Sequence, residues 1–123
     1  MSAEDPPRKV LLVDDDDLVL AVLQAALARA GHTVRCALTS AEALRLLAIE
    51  SVDVVVLDAH MAGSSLEGDL DAISGLRSSP AIIVLSGSAV DAALLAAAGA
   101  TYLAKPVDAR VFLDAVRDAG SAG

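Results

Sequence analysis

Lys9-Val10-Leu11-Leu12-Val13-Asp14-Asp15-Asp16-Asp17 decides how this chain folds. A continuous apolar run, rather than an alternation of apolar and polar residues, reads as a strand covered on both faces, the mark of a parallel sheet. The run then meets four aspartates in a row. Two carboxylates about 4 Å apart at an effective dielectric near 20 repel by on the order of 4 kcal/mol before compensation, so a cation belongs at the end of this strand.

The rest of the chain repeats the pattern. Val54-Val55-Val56-Leu57 ends at Asp58, Ala81-Ile82-Ile83-Val84-Leu85 ends at Ser86, and the shorter run Ala100 to Ala104 ends at Lys105-Pro106. Strands are expected over Lys9–Val13, Thr33–Ala37, Asp53–Leu57, Ala81–Leu85 and Thr101–Leu103, with helices between and after them. The first helix spans Leu18–Ala30 and stops at Gly31. The second opens with the capping-box pattern Thr39-Ser40-Ala41-Glu42 and reaches Ile49. A short third covers Leu70–Arg77, a fourth covers Val90–Ala98 before Gly99, and a fifth begins at Asp108 and reaches Ala119. Five βα units with right-handed crossovers predict a flavodoxin-like (βα)5 doubly wound α/β fold, its parallel sheet ordered 2-1-3-4-5.

At 123 residues and 55% apolar content the chain makes one domain with a substantial core. The domain is expected over residues 8–119, between a flexible, polar and acidic N-terminal segment (1–7) and a flexible tail (120–123). A net charge of −8, with no basic run and 2% aromatic residues, argues against direct nucleic-acid binding. No apolar stretch approaches the ~20 residues that span a bilayer, and the N-terminus is no signal peptide. The expectation is a soluble cytoplasmic protein. The lone Cys36 excludes an internal disulfide and reads as a strand residue.

Ligands of parallel α/β sheets bind beyond the carboxyl ends of the strands, where this fold gathers Asp14, Asp15, Asp58, Ser86 and Lys105. Carboxylate oxygens suit a hard divalent cation that keeps several waters, which describes Mg²⁺. Beside a metal and an ammonium, a carboxylate can act as nucleophile toward a phosphoryl group. Each residue also has a plainer reading. Asp16 and Asp17 suit a turn or helix cap; Asp58 and Ser86 taken alone would serve as turn residues; Lys105 alone would be solvated; Tyr102 would be core. The His60 side chain could be imagined as a ligand or base, but its backbone carbonyl is better placed than its ring.

Val13-Asp14-Asp15, Val55-Val56-Leu57-Asp58-Ala59-His60-Met61, Leu85-Ser86-Gly87 and Tyr102-Leu103-Ala104-Lys105-Pro106 together resemble the receiver domain of bacterial two-component response regulators, from about Arg8 to Ala119. The resemblance implies that Asp58 accepts a phosphoryl group from a histidine kinase or a histidine phosphotransfer protein and does no further catalysis beyond its own dephosphorylation. It implies Mg²⁺ bound by Asp15, Asp58 and the His60 backbone carbonyl, with Asp14 acting through water. Ser86 would turn to the phosphoryl oxygen, Lys105 would pair with it, and Tyr102 would move inward after Ser86. Lys105-Pro106 is a cis peptide in that family.

The chain also departs from the pattern. Met61-Ala62 stands where the family usually has Met-Pro, the segment from Ala59 to Glu67 is longer than usual, and the links before Ser86 and between Ser86 and Lys105 are shorter. A remodelled surface puts the family's usual dimer contacts in doubt. The expectation is a monomer that signals through an unknown downstream protein, with no output domain in this chain. Two other readings compete. Leu11-Leu12-Val13-Asp14-Asp15-Asp16 also resembles the first motif of haloacid-dehalogenase-like phosphatases, with Asp14 as nucleophile and Asp16 as general acid, but Asp58 then has no role. A non-phosphorylated interaction module on the same fold would fail to bind Mg²⁺.

Overall fold

In a computed structural model, residues 6–119 are described; the expected tail, 120–123, and most of the N-terminal segment lie outside them. Five parallel strands stand in the order β2-β1-β3-β4-β5: β1 (Lys9–Val13), β2 (Thr33–Ala37), β3 (Val54–Asp58), β4 (Ala81–Ser86) and β5 (Thr101–Ala104). Helices α1 (Asp17–Arg29), α2 (Ser40–Ile49), α3 (Leu66–Ser74), α4 (Ala92–Ala98) and α5 (Ala109–Asp118) alternate with them. This is the flavodoxin-like arrangement that the continuous apolar runs predict.

Successive strand side chains point to opposite faces, so each run supplies two cores. Val10, Leu12, Val54, Val56, Ile83 and Leu85 pack with Leu20, Leu23 and Leu27 of α1 and Phe112 and Val116 of α5. Leu11, Val13, Val55, Leu57, Ile82 and Val84 pack on the opposite face with Ala43 of α2 and Leu70 and Ile73 of α3, and Leu94 and Leu95 of α4 join them. Each large apolar side chain so buried contributes about 1.5–3 kcal/mol. The edge strands β2 and β5 are only partly covered. Among the described residues no helix is long and apolar enough to cross a membrane.

Two helices sit elsewhere than expected. Helix α3 begins four residues earlier, at Leu66 rather than Leu70, and ends at Ser74 rather than Arg77. Its cap is Ser65, whose hydroxyl accepts from the Gly68 N–H at 3.0 Å, and Leu66, Leu70 and Ile73 form one apolar face. Helix α4 starts at Ala92 rather than Val90, because the Asp91 carboxylate accepts from the Ala93 N–H at 2.8 Å and caps it there. Gly99 closes α4 in the left-handed region, φ 65°, which costs glycine nothing. The remaining boundaries shift by a residue at most, and Cys36 lies in β2 as expected.

Without proline after Met61, the β3–α3 loop turns through Gly63 at φ 82°. It is fastened by Asp69, which is buried and accepts from Ser64 Oγ at 3.0 Å and from Ser40 Oγ at 2.8 Å. The first turn of α3 therefore ties the lengthened loop to the start of α2.

Candidate functional site

Sheet register assembles the site. Val13, the last residue of β1, is level with Leu57, so Asp14 just past β1 and Asp58 at the end of β3 follow side by side. Asp58 is level with Leu85, which puts Ser86 one step further along β4. Ser86 in turn is level with Ala104, and Lys105 follows it. The Lys105 N–H extends the ladder by donating to the Ser86 carbonyl at 2.8 Å, and the Lys105–Pro106 bond is cis.

Carboxylate oxygens of Asp14, Asp15 and Asp58 lie within 4.8 Å of one another. Asp14 and Asp58 are buried and Asp15 is exposed. The Lys105 ammonium donates to Asp14 Oδ2 at 3.2 Å and to Asp58 Oδ1 at 3.3 Å. Asp14 Oδ1 accepts from the Asp16 N–H at 2.9 Å, and Asp58 Oδ1 from the His60 N–H at 3.3 Å. The Ala62 N–H donates to Asp15 Oδ2 at 3.4 Å, a weak tether for the loop.

Burial, with the charge of Asp58 adding to it, pushes the Asp14 carboxyl above the ordinary aspartate value against the lowering pull of the Asp16 N–H and Lys105. Burial also works against the Lys105 ammonium. Its hydrogen bond to Asp14 and the fields of Asp14 and Asp58 outweigh that and hold its pKa above the ordinary lysine value. Three carboxylates against one ammonium leave an excess of negative charge in a confined space. That donor set fits a small divalent cation with oxygen preference.

The other expected residues divide. Asp16 caps α1, its Oδ1 accepting from Leu18 N–H at 2.9 Å and Val19 N–H at 3.4 Å, and Asp17 is the first helical residue. Ser86 is wholly buried at the end of β4. Tyr102 is not core: on edge strand β5 it is 37% exposed, its hydroxyl 3.4 Å from the Ser86 carbonyl and 3.3 Å from that of Ser88. The ring of His60, set aside on sequence grounds, reaches Ser86 and Ser88. Neither Ser88 nor the Asp69 clamp carries a sequence signal beyond a small polar residue near a strand or helix end.

Comparison with known proteins agrees with this geometry. The family model described as the response regulator receiver domain matches residues 10–117. The sensory/regulatory protein RpfC of Xanthomonas campestris pv. campestris is 36% identical over 118 residues, 89% of this chain and 16% of that protein. The chain thus spans about a sixth of that relative's length. The receiver domain protein (CheY-like) of Methanospirillum hungatei JF-1 superposes with a TM-score of 0.86 at 26% identity, over 92% of this chain and 93% of that one. A response regulator from Burkholderia pseudomallei, solved with a phosphorylated aspartic acid, a calcium ion and citrate, gives a TM-score of 0.80 at 31% identity, over 88% of this chain and 65% of that one. Fold, strand-end chemistry and sequence kinship converge: this chain belongs to the receiver domain family of two-component response regulators.

Proposed function

We propose that Asp58 is the phosphoacceptor of this receiver and that residues 8–119 are the unit that carries the signal. The observation that carries the reading is the position of Asp58: a buried carboxylate ending a central strand, within 4.8 Å of the Asp14 and Asp15 oxygens and 3.3 Å from the Lys105 ammonium. An Asp58 oxygen attacks the phosphorus of a phosphohistidine on a histidine kinase or a histidine phosphotransfer protein. The phosphorus–nitrogen bond breaks, its electron pair returns to the donor imidazole, and Asp58 is left as an acyl phosphate. The same site supports slow hydrolysis of that bond by water.

Asp15, Asp58 and the His60 carbonyl would hold Mg²⁺ directly and Asp14 through water, and the ion supplies neutralisation of charge on the phosphoryl oxygens. Lys105 supplies a second positive charge beside Asp58. Ser86 donates a hydrogen bond to a phosphoryl oxygen once Asp58 is modified, and Tyr102 turns inward behind it. The product is a change of surface read by a downstream protein, in a monomeric cytoplasmic receiver. The phosphorylated aspartic acid in the Burkholderia pseudomallei relative supports the assignment by kinship.

Incubation with acetyl phosphate and Mg²⁺ tests the chemistry. The expected product carries one phosphoryl group that hydroxylamine removes, as it cleaves acyl phosphates but not phosphoesters. A hydroxylamine-resistant label would move the acceptor from a carboxylate to a hydroxyl.

A further inference from the structure

The loop that follows Asp58 reaches over the next strand. His60 Nε2 lies 2.9 Å from Ser88 Oγ and 3.2 Å from Ser86 Oγ, so an imidazole from the β3–α3 loop bridges to the β4–α4 loop. A serine hydroxyl has one proton to give and two lone pairs with which to accept. The shortest contact of Ser86 Oγ is the Ser88 carbonyl at 2.7 Å, which can only accept, so the proton goes there. One lone pair takes the Ser88 N–H at 3.1 Å. The other faces His60 Nε2, and a hydrogen bond there requires the Nε2–H tautomer, which would share its proton between the two hydroxyl oxygens. All the hydrogen-bonding capacity of Ser86 is thereby taken up within its own loop and by His60.

A phosphoryl oxygen only accepts, so Ser86 can bond to it only by withdrawing its proton from the Ser88 carbonyl and abandoning this network. Contacts made in one state and lost in the other set a two-state equilibrium. We propose that the His60 ring is a positioning residue that latches Ser86 in its unphosphorylated orientation, so that this side chain sets how readily the switch turns. The inference rests on Asp58 as the acceptor. One neutral hydrogen bond gained only in the resting state opposes the switch by about five-fold.

The test is a beryllofluoride titration in Mg²⁺, with beryllofluoride standing for the phosphoryl group on Asp58. Tyr102 is the chain's one tyrosine and there is no tryptophan; with its hydroxyl against the Ser86 and Ser88 carbonyls, its emission reports on this corner. His60→Ala is expected to lower the beryllofluoride midpoint about five-fold, and His60→Gln, whose amide can still donate, to restore it. In a Ser86→Ala background His60→Ala should leave the midpoint where it is. Because the backbone carbonyl of residue 60 belongs to the proposed metal site, Mg²⁺ affinity is measured for every variant without beryllofluoride, and the midpoint shift is read against it. Equal midpoints for wild type and His60→Ala, or the same shift with and without Ser86, overturn the latch and leave the acceptor assignment intact. A Mg²⁺ affinity that moves as far as the midpoint overturns it too, by making His60 a metal effect. A wild-type protein that takes up no beryllofluoride overturns the acceptor assignment and the latch with it.

Discussion

Lys105 reaches from the end of β5 across β4 to hold its ammonium 3.3 Å from Asp58 Oδ1. The same ammonium lies 3.2 Å from Asp14 Oδ2, so in the unmodified protein it divides itself between two carboxylates. A phosphoryl group on Asp58 would offer it a more highly charged partner than either carboxylate, through a charge-assisted bond of the same kind.

Lys105→Met and Ser86→Ala are therefore expected to separate labelling from response. Both variants should still incorporate phosphoryl from acetyl phosphate, while the change in Tyr102 emission that accompanies it falls to a fraction of the wild-type amplitude. Full-amplitude responses in both would remove Ser86 and Lys105 from the switch.

Mg²⁺ binding should discriminate among the four aspartates. Asp16 is committed to the α1 cap and Asp17 to its first turn, whereas Asp15 has an oxygen within the acidic cluster. Asp15→Asn is expected to weaken Mg²⁺ binding by about ten-fold and Asp17→Asn to leave it close to wild type. Calorimetric titration reads both, and a larger loss at Asp17 would place the metal outside the cluster.

Asp14 makes the site costly to the fold. Its pKa in the folded state is raised, by burial first and by Asp58 as well, so the folded protein binds that proton more tightly than the unfolded chain does. The stability this contributes is present at low pH and is lost as pH rises through the carboxylate range. Without Mg²⁺ at neutral pH, Asp14→Asn is expected to raise the melting temperature by a few degrees, the gain shrinking as the wild-type carboxyl protonates. A variant less stable than wild type at neutral pH would mean that the bond to Lys105 outweighs burial.

The sheet is legible because β1, β3 and β4 are buried on both faces and therefore read as unbroken apolar runs. Register then carries Asp14, Asp58, Ser86 and Lys105 to one edge with no further information. Helix α3 is harder, because Gly68 looks like loop punctuation; the helix runs through it, held by the Ser65 cap and by the Leu66, Leu70, Ile73 face. Tyr102 misleads because aromatic residues suit buried strands, yet β5 is an edge. The His60–Ser86 contact lies beyond sequence reading altogether: it joins residues 26 apart through the path of two loops, which no local pattern encodes.

Helix α4, Ala92–Ala98, contains no charged residue, and Leu94 and Leu95 turn inward onto the sheet. It has little with which to build an ion-paired dimer face. Sedimentation at micromolar concentration is expected to show a monomer both with and without beryllofluoride, and a shift to a dimer on its addition would show that this face pairs with itself.

Phosphorylation is expected on Asp58 and nowhere else. Intact mass after incubation with acetyl phosphate and Mg²⁺ tests it most directly, with wild type and Asp58→Asn side by side. Wild type is expected to gain one phosphoryl group and the variant none, whereas equal labelling of the two proteins would place the acceptor elsewhere.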